Sequence, residues 1–125
     1  MKGFHRPASD AQDKMIKEDW GWLMWLASAK LSECSGLTVG RVLIRKGKNN
    51  PRHRHPLSEE VLHLLKGSLD HSVGDDRVLL KAGDTLRVPP NVFHNAISVG
   101  DEDAEMIVTY NTPDRDFELE SAKKP

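Results

Sequence analysis

The stretch GKNNPRHRHPLSEEVLHLLKG, residues 47–67, sets His53 and His55 two positions apart between Pro51 and Pro56, then places Glu59 and Glu60 before an apolar run. On a strand, the two-residue period points both imidazoles to one face and sends Arg52 and Arg54 to the other. Two imidazoles ~7 Å apart along the backbone can converge on one ion. A hairpin-like return over the intervening PLSE brings Glu60 back beside the histidines as an oxygen ligand. Glu59 is excluded by the same parity, and His63, three positions after Glu60, also faces away.

Outward from this stretch, the chain from Trp20 onward reads as short strands broken by turn chemistry. The strands are WGWLMWLAS, LTVGRVLIRK, EVLHLLK, SLDHSV, RVLLK, TLRVP, HNAISV and AEMIVTY, with SG, GDD, GD and GDED among the segments between them. Those turn residues tolerate positive φ or close turns with their own side chains. Strands at this spacing without helical crossovers predict an all-β antiparallel sandwich or barrel, not a parallel α/β sheet. Pro89 and Pro90 cannot donate ladder hydrogen bonds, so they end TLRV or sit at a sheet edge. Residues 8–19 hold the one helical hint, with Ser9 and Gln12 spaced as a capping box. The polar residues after Phe117 are expected to fray. This divides the chain into an N-terminal extension (1–19), one β domain (20–117) and a polar tail (118–125).

A further ligand should come from a distant strand. His94 is the natural candidate, because GDTLRVPPNVFH ends a strand in a proline turn and re-enters at the histidine. Gly83 and Asn91 both accept a left-handed backbone with little strain. The two stretches, G47-x5-H53-x-H55-x4-E60-x6-G67 and G83-x5-P89-x-N91-x2-H94, resemble the two motifs of the cupin superfamily. Two positions depart from that pattern. Asn91 stands where the family has glycine, and Ser98 where it has asparagine. The resemblance implies an antiparallel jelly-roll β-barrel. It also implies that His53, His55, Glu60 and His94 are metal ligands, and that the protein is a homodimer using an N-terminal strand such as WGWLMWLAS.

Three imidazoles and a carboxylate, without thiolate, suit a divalent transition metal: Fe, Mn, Ni, Zn, Co or Cu. An octahedral ion would keep two positions open for a chelating small molecule, O₂ or water. Inward residues Leu62, Leu64, Leu86 and Val88 could wall a cavity, although each reads better as core. Trp20 and Trp22 share a strand face and Trp25 takes the other, for core or dimer packing. His71 reads as a packed histidine or as a support beside the ligands, and His5 as a terminal bystander.

The chain has 125 residues and a formal net charge of −1, which fits one soluble domain and disfavours nucleic-acid binding. Charge is locally uneven. Arg41, Arg45, Lys46, Lys48, Arg52 and Arg54 occur between Cys34 and Ser58 without an acid. They read as a solvated loop or as a positive rim attracting an anionic ligand. The single cysteine excludes an intramolecular disulfide. No signal peptide or membrane span is expected, which makes the cytoplasm the default location. The functional expectation is a small metal-dependent enzyme of dioxygenase, isomerase or lyase type, acting on an anionic or oxygen-chelating small molecule. The alternative is a non-catalytic binding or sensing cupin.

Overall fold

In the computed structural model, residues 4–123 are described, and they form two facing antiparallel sheets. The outermost residues of the expected extension and tail, 1–3 and 124–125, lie outside them. The elements are α1 (Ala8–Asp13), β1 (Ile16–Glu18), β2 (Gly21–Ala27), α2 (Ala29–Ser32), β3 (Thr38–Ile44) and β4 (His53–Arg54). They continue with β5 (Glu60–Lys66), β6 (Ser68–Val73), β7 (Asp76–Lys81), β8 (Thr85–Val88), β9 (His94–Ser98), β10 (Ala104–Tyr110), β11 (Glu118–Leu119) and a 3₁₀ turn (Glu120–Lys123). One sheet runs β1-β2-β3-β10-β5-β8 and the other β11-β4-β9-β6-β7. The all-β antiparallel architecture expected from the turn spacing, and the jelly roll that the motif resemblance implies, are therefore the fold.

Alternation makes the inner faces. Along β5, Glu60, Leu62 and Leu64 are buried, whereas Val61, His63 and Leu65 are exposed. Along β10, Ala104, Met106, Val108 and Tyr110 point inward. These side chains meet Leu69, Leu80 and Ala96 of the opposite sheet in one core. Leu64 and Val88 belong to that core, and Leu86 packs partly buried against it. Of the four residues read as core or cavity wall, Leu62 alone lines the cavity.

Two backbone positions hold the motifs in shape. Gly67 joins β5 to β6 at φ +83, and a Cβ there would lie 2.8 Å from both Ala104 Cα and the Asp103 carbonyl oxygen. Asn91 occupies the left-handed region at φ 64, a conformation that asparagine adopts with little strain. Its N–H donates to the His55 carbonyl at 2.9 Å, tying the proline turn to the histidine strand.

Four local expectations need correction. Ser9 does not cap: α1 starts at Ala8 after Pro7, with no side-chain cap bond, and stops at Asp13. Residues 16–18 leave the helix altogether and pair with β2 as an edge strand. The tail does not simply fray after Phe117, because Glu118 and Leu119 pair with Arg54 and His53. Trp20 sides with Trp25 along the cavity, not with Trp22. Strand parity does not reach Trp20, which lies in the turn before β2 starts at Gly21.

Candidate metal centre

Two strands, β4 and β9, bring the histidines together. His53 and His94 are direct partners in the β4–β9 pair. His55 lies just past β4 on the same face as His53, and all three are buried. Their ring nitrogens lie within 4.8 Å of one another. Glu60 arrives from the opposite sheet, with Oε1 3.3 Å from His55 Nε2 and 3.2 Å from His94 Nε2. Glu59 instead faces solvent and pairs with Arg87, and exposed His63 bonds Thr85. Strand parity set His53 and His55 on one face and turned Glu59 and His63 away from it, as the structure places them; His94 came instead from the proline turn.

Each imidazole is oriented by a main-chain carbonyl. Nδ1 of His53 donates to Pro51 at 2.7 Å, His55 to Asp116 at 2.7 Å, and His94 to Val92 at 2.9 Å. A carbonyl oxygen only accepts, so each Nδ1 carries the proton and each Nε2 presents a lone pair. His55 Nε2, His94 Nε2 and Glu60 Oε1 are buried without an aligned hydrogen-bond partner. Lone pairs facing a carboxylate at such range need a proton or a cation between them. The donor set therefore fits a metal ion.

Electrostatics agree. Burial and the neighbouring His94 push His53 down to about 3, so it stays neutral and ready to ligate. Burial alone would raise the Glu60 pKa, but the His55 and His94 imidazoles against it hold the carboxyl well below the ordinary range. His71 is buried one strand away, its ring stacked on His94 at 5.9 Å with an interplanar angle of 13°. Burial pushes it down to about 4. It is a packed residue beside the three-histidine cluster.

A cavity of about 400 Å³ opens over this cluster. Its walls are largely apolar, with Trp20, Leu23, Trp25, Val42 and Met106 opposite the imidazoles. Tyr110, the register partner of Glu60, has its hydroxyl between Glu60 and Arg115. Burial, then the Glu60 charge, pushes the Tyr110 pKa well up, against the pull of Arg115. Phe117 stacks on His53 at 4.8 Å. Tyr110, Arg115, Asp116 and Phe117 went unread in the sequence, where 114–120 looked like an acidic, polar end. The signal was a lone arginine and a lone phenylalanine within a run of acids.

Three of the six residues of the expected positive rim are consumed. Arg41 pairs with Glu105, Arg52 with Glu120 at 3.0 Å, and Arg54 with Glu118 at 2.8 Å. The three arginines are answered by acids of two acidic segments across the fold.

A family model described as the cupin domain matches residues 40–110. The chain belongs to the cupin family. Among curated cupin relatives, it is 32% identical to polyketide synthase CurC of Streptomyces cyaneus over 55% of this chain and 45% of that protein. It is 31% identical to oxalate oxidase GF-2.8 of Triticum aestivum, over 62% of this chain and 38% of that protein. This cupin thus spans less than half the length of either relative. A solved oxalate decarboxylase of Lactobacillus farciminis, in complex with formate, superposes with a TM-score of 0.81 at 21% identity. That superposition covers 89% of this chain and 35% of the other, and it is a likeness of fold. Among the described residues, no helix is long and apolar enough to cross a membrane.

Proposed function

We propose that this cupin is a metal-dependent enzyme in which one divalent transition-metal ion is held by His53, His55, Glu60 and His94, and that it acts on an anionic or oxygen-chelating small molecule. The observation that carries the reading is the convergence of buried, unpartnered His55 Nε2, His94 Nε2 and Glu60 Oε1 beneath a cavity. Fe, Mn, Ni, Zn, Co and Cu all suit this donor set. A bound ion supplies Lewis-acid polarisation of a substrate oxygen.

The chain's own residues do the rest. The carbonyls of Pro51, Asp116 and Val92 keep the Nε2 lone pairs aimed at one point. The aromatic and aliphatic wall excludes water, which strengthens electrostatic contacts inside the site. Tyr110 braces Glu60 from the neighbouring strand. The reaction falls in the dioxygenase, isomerase or lyase class. The relatives named oxalate oxidase support a carboxylate substrate.

Elemental analysis of protein purified without a metal-affinity tag tests the site. Near-stoichiometric metal, native or after anaerobic addition of Fe(II), Mn(II), Ni(II) or Zn(II), supports it, and none under any condition overturns it. Metal-dependent O₂ uptake or conversion of diketones, flavonols or small acids supports catalysis. Metal and ligand binding without turnover would make the protein a binding cupin instead.

A further inference from the structure

Arg115 differs from the arginines around it. Arg41, Arg52, Arg54, Arg77 and Arg87 each form an ion pair with a carboxylate. Among the described residues, none forms one with Arg115. Its guanidinium sits over the Trp25 ring at 4.7 Å and over the Phe117 ring at 4.7 Å, with the Tyr110 ring 5.8 Å away. Phe117 is in turn stacked on His53. The order His53, Phe117, Arg115, Trp25 places a positive charge one ring away from a candidate ligand, along the wall of the same cavity.

The clamp decides what that charge can do. With aromatic rings over its faces, a guanidinium keeps its in-plane N–H groups for acceptors; beyond the one at the Tyr110 hydroxyl, Arg115 has N–H groups left for a carboxylate, which can accept two parallel bonds. Gly40 makes the clamp possible, because a Cβ there would lie 2.8 Å from the Trp25 ring. The cavity's other charged side chain, apart from the ligand cluster, is Glu18, exposed on β1 at the rim and screened by water. Oxalate has no apolar part, yet this cavity is walled by Trp20, Leu23, Val42 and Met106.

We propose that Arg115 is the anion-binding residue of the cavity, and that the natural ligand is a monocarboxylate with a ring-sized apolar body. Its carboxylate pairs with Arg115, its body lies against the Trp20–Leu23 wall, and a second oxygen faces the histidine cluster. This rests on the metal-enzyme reading for the second oxygen, but not for the carboxylate.

Calorimetric titration with phenylacetate, phenylacetamide and acetate, on metal-free and Mn(II)-supplemented protein, tests it. Phenylacetate should bind, while the neutral amide and the bodiless acid bind at least about 10-fold more weakly. Arg115→Gln should weaken phenylacetate at least about 10-fold without changing phenylacetamide, and Arg115→Lys should fall between them. Far-UV circular dichroism and melting show whether each variant is folded, and Arg115→Lys keeps the test valid if Arg115→Gln is not. Equal phenylacetate affinity in wild type and folded variants, or no binding to wild type, overturns the proposal. Arg115-dependent binding in protein that takes up no metal would leave the anion site standing while the metal reading fails.

Discussion

His53 and His94 face each other across the β4–β9 pair, with ring centroids 4.4 Å apart. One register position thus joins the two sequence motifs, and a slip of one residue would turn every imidazole of one strand away from the cavity. Strand pairing, more than any single contact, holds this centre together.

The sharpest consequence concerns His94 and His63, two histidines on different faces. His94→Ala should lower metal affinity at least about 10-fold and reduce bound metal after gel filtration. His63→Ala, altering an exposed ring bonded to Thr85, should leave metal content unchanged. Equal losses in both variants would contradict the facing of β5.

Acid should destabilise the metal-free protein. His53 and His71 keep their neutral forms down to about 3 and about 4, whereas unfolded histidine takes up its proton near 6.5. Below pH ~6.5 the unfolded chain therefore binds more protons, and stability falls as pH drops toward those folded values. Glu60, held below its ordinary value, adds the same sign below pH ~4.5. Urea unfolding should show little change between pH 8 and 7, then a loss of at most about 1.4 kcal/mol per pH unit for each such group. Stability that rises from pH 7 to 5 would refute this.

Asp116 is predicted to act through His55. Its carboxylate accepts from Ser58 Oγ and the Leu57 N–H, which fixes the carbonyl that orients His55 Nδ1. Burial opposes ionisation there, but the Ser58 and Leu57 bonds lower the pKa overall. Asp116→Asn should retain most metal affinity. Asp116→Ala should lose about 10–100-fold while melting only slightly earlier, since it aims a ligand instead of being one.

Backbone demands give a prediction independent of metal. Gly67→Ala places a Cβ against main chain at positive φ and should cost roughly 2 kcal/mol or more in chemical unfolding. Asn91→Gly, at φ 64, should shift stability by less than about 1 kcal/mol. A large loss for Asn91→Gly would mean that its side chain does more than permit the turn.

Much of this was legible in advance for a physical reason. Where one face of a strand is buried, inward positions must recur every second residue, as Glu60, Leu62 and Leu64 do in EVLHLLK and Ala104, Met106, Val108 and Tyr110 do in AEMIVTY. EVLHLLK put Glu60 inside and His63 outside by arithmetic alone. Parity failed for Trp20, because a turn residue has no strand face. The closing of the cavity by 115–119 was hidden because its cause is tertiary. Arg52 and Arg54 project outward beside the histidines, and Glu120 and Glu118 answer them. Pairing with β4 overrides the poor strand propensity of that polar segment.

The bond from His55 to Asp116 spans 61 positions. A ribosome adding ~5–20 residues per second delivers the carbonyl roughly 3–12 s after the imidazole it orients. During that interval the nascent histidines are free to turn and will take any ion that imidazoles prefer. If the cluster holds a metal as proposed, discrimination among metals is acquired late, when the last strand docks. The metal recovered from cells should therefore depend on what is abundant where the chain folds.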